Sequence, residues 1–488
     1  MNPMTPYGPV DLRPAWPALI VAITGVVVLL VQALTPRGRR TPSAALSLLG
    51  IAAALAAVAL IATGRGRGVV MGGAVAADDF SLFFHVLLLG ITAVAVLLSP
   101  SYVRATGIDR GEYYALMLFS LVGMLGLVSC RELVSLFVAL EIMSVALYAL
   151  AGLRRDHPAS QESAMKYFIT GAFSSAFFLY GVALLYGVSG STSLTRIAPA
   201  VRAATGGPAA MALLGAGLLL VGFGFKVASV PFHMWAPDVY EGAPTTVTAI
   251  MSAGVKTAAF GAFLRVFVQA LPSLASQWQP AVAALAVLTM VVGNLGALAQ
   301  SNIKRMLAYS SVGHAGYLLA AVVAAPGVGT EAVLFYLVAY SAVNLGGFGT
   351  IAALARNGQE PVLFSEVAGL SRRRPLLAAA LALFMISLTG IPVSAGFVGK
   401  FYLFTAAVDG GYVTLAIVGM LMSAVSAYYY LGVVVAMYMR EPVGEDVWGP
   451  VSVPSGVALA VSVLVVLGLG VYPGPVLAWA RLAARSLL

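Results

Sequence analysis

The chain has 488 residues, of which 60% are hydrophobic and only 9% are charged, against about 45–50% apolar and about 25% charged residues in ordinary soluble domains. This composition excludes a soluble globular protein and a disordered one, and the single cysteine, Cys130, excludes a scaffold held by disulfides. The net charge of +9 comes from scattered arginines, with 372–374 as the longest basic block, which favours loops beside an anionic membrane surface over nucleic-acid binding.

Apolar stretches of the length that a helix needs to cross a bilayer, about 20 residues, recur along the whole chain. Because lipid does not tolerate unpaired backbone groups, and because barrel strands would be shorter and alternating, these stretches predict helices and an all-α, polytopic fold. The fourteen predicted spans are 14–34, 41–62, 79–99, 112–130, 132–152, 163–188, 209–236, 245–271, 280–300, 303–325, 331–355, 376–407, 411–438 and 453–475.

The ends and loops of the chain predict its orientation. Only Arg13, set against Asp11, precedes the first apolar stretch, so that stretch lacks a basic n-region and is interpreted as a retained helix. More arginines lie in loops after odd-numbered spans than on the other side. This bias predicts that those loops are cytoplasmic and that both termini lie outside the cytoplasm.

Two proline breaks indicate an internal repeat. Pro231 lies in the seventh predicted span and Pro392, 161 residues later, in the twelfth; each removes a backbone donor and predicts two half-helices. Spans 4–8 and 9–13 then form two five-helix units, and since five is odd, the second is inverted, as in many transporters. The predicted domains are helices 1–3 (1–111), the first unit (112–272), the second unit (273–438) and the last helix (439–488).

The chain contains only five lysines, and none of them lies in a long loop: Lys166, Lys226, Lys256, Lys304 and Lys400. Arginine keeps its charge at physiological pH, whereas a desolvated lysine can exchange a proton. Lysines within spans and arginines in loops therefore indicate proton chemistry. The alternative is a coding bias that depletes lysine, although the remaining lysines would then be expected in loops.

Four ionisable residues are the main candidates for proton translocation: Glu141, Lys226, Lys256 and Lys400. A lysine or carboxylate near a helix centre costs about 2.5–3.5 kcal/mol on insertion, so such residues are functional by default. Glu141 is the expected counter-ion of Lys226, and the stripe from Thr245 to Lys256 is expected to be wettable. A static ion pair that holds helices in register is the alternative.

Three further candidates are less central. His314 lies in mid-span and is expected either to relay protons or to hydrogen-bond a neighbouring helix. Lys166 and Lys304 lie near span starts, where snorkelling to the interface competes with a role in a proton path. The sequence has no nucleotide-binding, iron–sulfur or metalloprotease motif. We therefore expect no cofactor on this chain, and any coupled redox reaction to take place on a partner.

Several blocks resemble the antiporter-like membrane subunits of NADH:quinone oxidoreductase, respiratory complex I, most closely those of the subunit N type. The blocks cover residues 219–263, 132–150, 162–187, 302–317 and 390–404. The resemblance implies that Glu141 and Lys226 match the glutamate–lysine pair of the fifth and seventh helices. Lys256 matches the lysine of the eighth helix. Lys400 matches the ionisable residue of the twelfth, where lysine disfavours subunit M.

The resemblance further implies a translocase subunit of the bacterial cell membrane without a redox centre of its own. NADH, FMN, iron–sulfur clusters and quinone are then expected on partner subunits, with subunit M and small membrane subunits as neighbours and no nucleic acid. The family is also similar to multisubunit sodium/proton antiporters. A subunit of a cation/proton antiporter therefore remains the alternative function, and a scaffold that conducts nothing is a third possibility.

Overall fold

The computed structural model describes residues 12–36, 42–64, 66–324, 327–442 and 448–487. Within these residues twelve helices are long and apolar enough to cross a membrane. The only sheet found there is a pair of three-residue strands. The prediction of an all-α, polytopic fold is therefore confirmed.

The N-terminal segment contains three long helices and a small hairpin. Its elements are a 3₁₀ turn Arg13–Ala15, α1 Trp16–Leu34, α2 Ser43–Ala62, β1 Gly68–Val70, a 3₁₀ turn Met71–Gly73, β2 Val75–Ala77 and α3 Asp79–Ala105. The strands are antiparallel, with Gly68 opposite Ala77. Asp78 caps α3 by accepting a hydrogen bond from the backbone N–H of Ser81, and the Ser81 hydroxyl accepts in return from the N–H of Asp78. This reciprocal pair satisfies two otherwise unpaired donors and sets the start of α3.

The predicted first unit contains eight α-helices. They are α4 Gly111–Ser129, α5 Leu133–Ala151, α6 Pro158–Ser189, α7 Leu194–Ala203, α8 Gly207–Val227, α9 Trp235–Gly242, α10 Thr245–Ile250 and α11 Lys256–Leu264. A π-helical turn, Met251–Val255, joins α10 to α11, and a second, Arg265–Ala270, extends α11, so that one span runs over Thr245–Ala270. Such π turns inside helices are frequent at functional sites, and Lys256 directly follows the first of them.

The second unit and the C-terminal helices follow after a 3₁₀ turn, Pro272–Leu274. They are α12 Ala275–Leu298, α13 Ile303–Val322, α14 Val328–Ala353, α15 Leu370–Arg373, α16 Pro375–Thr389, α17 Ala395–Asp409, α18 Val413–Met439, α19 Val453–Val471 and α20 Gly474–Arg485. α12 packs along α13, and α14 contacts α16, α17, α19 and α3. α14 thus connects the second unit to the N-terminal segment.

Both predicted helix breaks are present. α8 ends at Val227 and is followed by Ala228, which adopts a left-handed conformation at φ 58°; helix resumes at Trp235. α16 ends at Thr389 and is followed by Gly390 at φ 89°, a conformation that favours glycine; helix resumes at Ala395. In the first break, the Val230 N–H donates to the Thr289 hydroxyl at 2.9 Å. Such contacts are needed because backbone groups freed by a helix break have no water to bond to inside the hydrocarbon layer.

The predicted tenth and twelfth spans are not among the twelve helices. α13 carries Lys304, Arg305 and His314 within 20 residues, which lowers its hydropathy. The twelfth span is divided into α16 and α17, of 15 residues each, and neither half is long enough alone. The count of fourteen spans, the inversion of the second unit and the four domain boundaries stay predictions.

The core lies around two central spans. Thr245–Ala270 and α14 are buried almost throughout, whereas most of the apolar residues of α18 and α19 are exposed or only partly buried. Lys256 therefore lies on the most enclosed span of the molecule.

Candidate functional site

Lys226 lies in the last turn of α8, directly before the first helix break. Its ammonium is buried and donates a hydrogen bond to the Ser144 hydroxyl on α5 at 2.7 Å. The ammonium also lies 5.4 to 5.6 Å from the ring centres of three aromatic residues, Tyr148, Tyr167 and Phe225. A hydroxyl and aromatic faces thus replace water around this cation.

Glu141 lies one turn before Ser144 on α5 and is half-buried. Its carboxylate accepts a hydrogen bond from the Ser175 hydroxyl on α6. The predicted partners Glu141 and Lys226 are both described, and they form no direct ion pair; each is bonded to a serine instead. The sequence predicts Glu141 as the counter-ion of Lys226, whereas the direct hydrogen-bond partners in the structure are Ser175 for Glu141 and Ser144 for Lys226.

Lys256 connects the first unit to the second. Its buried ammonium donates to the backbone carbonyl of Ser311 and, at 2.6 Å, to the Ser311 hydroxyl on α13. The Tyr340 hydroxyl on α14 donates to the same Ser311 hydroxyl at 2.8 Å, and the Tyr340 ring centre lies 5.4 Å from the ammonium. All the direct polar partners of Lys256 in the described residues are therefore neutral.

His314 is one turn beyond Ser310 on α13 and is fully enclosed. Nδ1 contacts the Tyr336 hydroxyl, and Nε2 contacts the Tyr430 hydroxyl at 3.0 Å. Tyr430 also bonds to Ser310. From the sequence Tyr430 is expected to be a packing or aromatic-belt residue, because a tyrosine in an apolar span carries no signal that distinguishes such a residue from a partner of histidine.

Lys400 lies on α17, just after the second helix break. Its ammonium donates to the carbonyl oxygens of Leu388 at 2.7 Å and Thr389 at 3.0 Å, and to the Ser423 hydroxyl at 2.7 Å. The carbonyls belong to the C-terminal turn of α16, where the helix dipole favours a cation. The break thus provides the binding site for the lysine that follows it.

A continuous line of side-chain contacts joins these residues. The line begins at the Lys226 ammonium, which lies over the Tyr167 ring. The Trp235 ring stacks on Tyr167, with 4.7 Å between the ring centres, and the Tyr240 ring centre lies 5.9 Å from that of Trp235. The Tyr240 hydroxyl bonds to Ser311, which holds Lys256.

Beyond Lys256 the line continues into the second unit. The ring centre of His314 lies 5.5 Å from that of Tyr340 and 5.3 Å from that of Tyr317, and Tyr317 lies under the Lys400 ammonium at 5.0 Å. We call Lys226, Lys256, His314 and Lys400 the lysine axis. The axis crosses from one helix break to the other through the centre of the molecule.

The two remaining lysines lie away from this axis. The Lys166 side chain is 42% exposed and pairs with Glu162 at 2.6 Å and Asp238 at 2.5 Å. Lys304 is buried, donates to the Ala243 carbonyl at 2.9 Å and lies 3.6 Å from a carboxylate oxygen of Glu360. Lys166 is therefore an exposed, paired cation, whereas Lys304 belongs to a second buried polar cluster.

That cluster contains Glu360, which no pattern in the sequence indicates as a site residue. Burial raises the pKa of the Glu360 carboxyl, but Lys304, together with hydrogen bonds from Thr245 and Tyr102, outweighs burial and keeps the pKa below its ordinary value. Glu360 is thus an anion at neutral pH. An isolated glutamate in a polar loop reads as solvated, so only the tertiary structure reveals this site.

A second missed pair joins Arg265 to Asp78. The fully buried guanidinium of Arg265 contacts both carboxylate oxygens of Asp78 at 2.9 Å and donates to the Val128 carbonyl at 3.0 Å. Burial raises the pKa of the Asp78 carboxyl, but the charge and hydrogen bonds of Arg265 outweigh burial and lower the pKa to about 2. The sequence alone could have indicated Arg265 as a site residue, because it is a charged residue inside the predicted span 245–271.

Comparisons with known proteins identify the family that the chain resembles. The family model described as NADH:quinone oxidoreductase/Mrp antiporter, TM, matches residues 130–426. NADH-quinone oxidoreductase subunit N of Trichlorobacter lovleyi is 45% identical, with 98% of this chain and 97% of the relative covered. Within the described residues, no three His, Cys, Asp or Glu side chains come together as a metal site.

Two solved structures have the same fold. A chain of respiratory complex I from Thermus thermophilus is 39% identical, with a TM-score of 0.81 and with 95% of this chain and 98% of that chain covered. A chain of the Mrp complex from a Dietzia species has a TM-score of 0.85 over 98% of this chain and 97% of that chain. Since the latter is only 22% identical, its likeness shows the fold alone.

Proposed function

The chain belongs to the subunit N family of NADH-quinone oxidoreductases, and from that membership we propose that protons cross it along the lysine axis. The protein is a proton-translocating subunit of the membrane arm of respiratory complex I and assembles with other membrane-arm subunits. The roles proposed here are proton binding and release at Lys226, Lys256 and Lys400, relay at His314, and charge stabilisation by Glu141.

One observation carries this proposal: each of the three axis lysines is bonded to a serine hydroxyl. The pairs are Lys226 with Ser144, Lys256 with Ser311 and Lys400 with Ser423. A hydroxyl accepts a hydrogen bond from an ammonium and can turn to donate one to a neutral amine. Both protonation states of each lysine therefore remain hydrogen-bonded in a dry interior, as a residue that binds and releases protons requires.

The electron transfer that drives these proton steps is proposed to take place on partner subunits. NADH, FMN, iron–sulfur clusters and quinone would bind there, and subunit M and small membrane subunits would be among the neighbours. Placement in the bacterial cell membrane with both termini outside the cytoplasm is also part of the proposal, supported by the arginine distribution in the loops.

The test is NADH-driven proton uptake by inside-out membrane vesicles from a strain that carries Lys256→Met, normalised to assembled complex and to NADH oxidised. We expect the number of protons taken up per NADH to fall, because methionine fills the space of the lysine stem and binds no proton. Arg481→Met is the control, since it removes a cation that is 57% exposed and pairs at the surface with Glu331. Unchanged uptake with Lys256→Met would contradict the proposal.

Ion dependence separates the alternative function. The same vesicles are measured with and without added sodium. Uptake that is indifferent to sodium supports proton translocation driven by the complex, whereas uptake that requires sodium would support a cation/proton antiporter subunit.

A further inference from the structure

Glu360 is buried although it lies in the loop between α14 and α15. Its side chain is only 5% exposed. Its carboxylate is contacted by four residues from four other parts of the chain: the Tyr102 hydroxyl at 2.5 Å, Arg154 at 3.2 Å, Lys304 at 3.6 Å and the Thr245 hydroxyl. A buried carboxylate is expensive unless it is paired and hydrogen-bonded, and here every neighbour is a donor or a cation.

These contacts bring three parts of the fold to one point. Tyr102 belongs to α3, Arg154 follows α5, Thr245 begins α10, and Lys304 lies in the first turn of α13. Glu360 therefore lies where the N-terminal segment, the first unit and the second unit meet. The cluster is at the end of the molecule that carries the arginine-rich loops, which is the predicted cytoplasmic face.

A cavity of about 390 Å³ opens onto this cluster from outside. Its polar lining includes Arg154, His157, Glu241, Lys304 and Glu360. A water molecule occupies about 30 Å³ in the liquid, so the cavity has room for several. Water can thus reach the Glu360 carboxylate from the surface.

On its inner side, Glu360 meets the start of the polar stripe that leads to Lys256. The members of the stripe have helical spacing and are all buried: Thr245, Thr248, Ser252 and Lys256. The Thr248 hydroxyl donates to the Tyr240 carbonyl at 2.9 Å, and the Tyr240 side chain bonds to Ser311, the partner of Lys256. The carboxylate thus lies between the water-accessible cavity and the central lysine.

We propose that Glu360, with Lys304, is the site at which protons enter the chain from the cavity on their way to Lys256. A proton passes from water in the cavity to a carboxylate oxygen of Glu360, which neutralises it and weakens its contacts with Lys304 and Arg154. The carboxylic acid then gives up that proton through the hydroxyls of the stripe and intervening water to the neutral amine of Lys256. The carboxylate is regenerated and Lys256 becomes an ammonium, so charge and protons balance.

This inference rests on the proposed function, because it supplies Lys256 with its proton. The competing explanation is that the cluster is a static clamp that holds the loop against the three parts of the fold. A clamp needs the ion pairs, whereas an entry site needs a carboxyl group that exchanges protons. Substitutions that separate these two requirements decide between the explanations.

The experiment compares proton uptake per NADH in inside-out vesicles carrying Glu360→Gln, Glu360→Asp, Glu366→Gln or Lys256→Met, each normalised to assembled complex. Glutamine retains acceptors for Tyr102 and Thr245 but binds no proton. Glu366 is the matched control, because it borders the same cavity but its carboxylate bonds to the backbone N–H groups of Val362 and Leu363. We expect Glu360→Gln to lower uptake as much as Lys256→Met does, and Glu360→Asp and Glu366→Gln to retain it.

A double variant, Glu360→Gln with Lys304→Met, removes both charges of the pair. Uptake that stays low in this variant, at wild-type assembly, supports the entry site, and restored uptake would show a static clamp. Normal uptake with Glu360→Gln while Lys256→Met is impaired would overturn the entry site alone. Normal uptake with Lys256→Met would overturn the proposed function first, so the two failures are distinguishable.

Discussion

Lys256 and Ser311 join the two helical units by a buried lysine–serine contact, with Nζ 2.6 Å from the hydroxyl oxygen. Lys256 belongs to the most enclosed span of the first unit, and Ser311 to the α13 helix of the second. Any proton that moves between Lys226 and Lys400 along the lysine axis passes this junction. The junction is therefore the point at which a small change in hydrogen bonding should have a large effect.

Ser311→Ala should slow proton uptake while leaving assembly intact. The variant removes a hydrogen bond to a charged group, which is worth about 1.5–3 kcal/mol. The Ser311 backbone carbonyl still accepts from Lys256, but the neutral amine no longer has a hydroxyl that can donate to it. NADH-driven uptake in vesicles measures the effect. Ser311→Thr keeps the hydroxyl and should retain uptake, and Ser276→Ala, an exposed serine, is the control; equal uptake in Ser311→Ala and wild type would refute the role of this hydroxyl.

Lys400→Ala should abolish the contribution of the second unit to proton uptake, since the carbonyls of Leu388 and Thr389 lose their cation. Lys400→Arg should also fail, because arginine keeps its charge and does not release a proton. Uptake per NADH, normalised to assembled complex, measures both. Retained uptake with alanine would make Lys400 structural, and retained uptake with arginine alone would make it a fixed electrostatic gate.

Tyr430→Phe should impair uptake through His314. The variant removes the hydroxyl that contacts His314 Nε2 at 3.0 Å and also bonds to Ser310, and so breaks a hydrogen-bonded network in a dry interior. The neighbouring Tyr428, which is 77% exposed, provides the matched control Tyr428→Phe. If both variants pump equally well, Tyr430 only fills space.

Asp78→Asn should destabilise the assembled protein. It leaves the buried Arg265 without its carboxylate, and breaking a buried ion pair typically costs about 3–5 kcal/mol. The measurement is the midpoint of thermal dissociation of the solubilised complex. Asp79→Asn is the control at the next position, because Asp79 pairs with a half-exposed Arg67 and such surface pairs are worth only about 0–1 kcal/mol. Equal midpoints in the two variants would contradict the assignment.

The Asp78 contribution should depend on pH in a defined direction. The folded-state pKa of Asp78 is about 2, below the value of about 3.9 for an unfolded aspartate. Its stabilising contribution is therefore fully present above about pH 4 and is lost as the pH falls through the folded-state pKa. In an acid titration, the stability difference between wild type and Asp78→Asn should shrink over that window. A difference that stayed constant would exclude ionisation of Asp78 as its cause.

The sequence by itself determined the helical, membrane-spanning class, both helix breaks and the presence of lysines inside spans. These features are local: hydrocarbon requires each apolar stretch to pair its own backbone, and proline interrupts a helix wherever it lies. Arg265 was equally readable, as a charge within a predicted span. The breaks at Ala228 and Gly390 accordingly lie where the prolines predict them.

Only the tertiary structure decided what each ionisable group contacts. Ser423 meets Lys400, and Glu360 meets Lys304, because helices and loops far apart in the chain pack at one register. Spans that are apolar on every side carry no periodicity that orients one helix against another, and lipid supplies no hydrophobic force to do so. The partners that distinguish a proton-exchanging lysine from a static ion pair were therefore set by packing between distant helices.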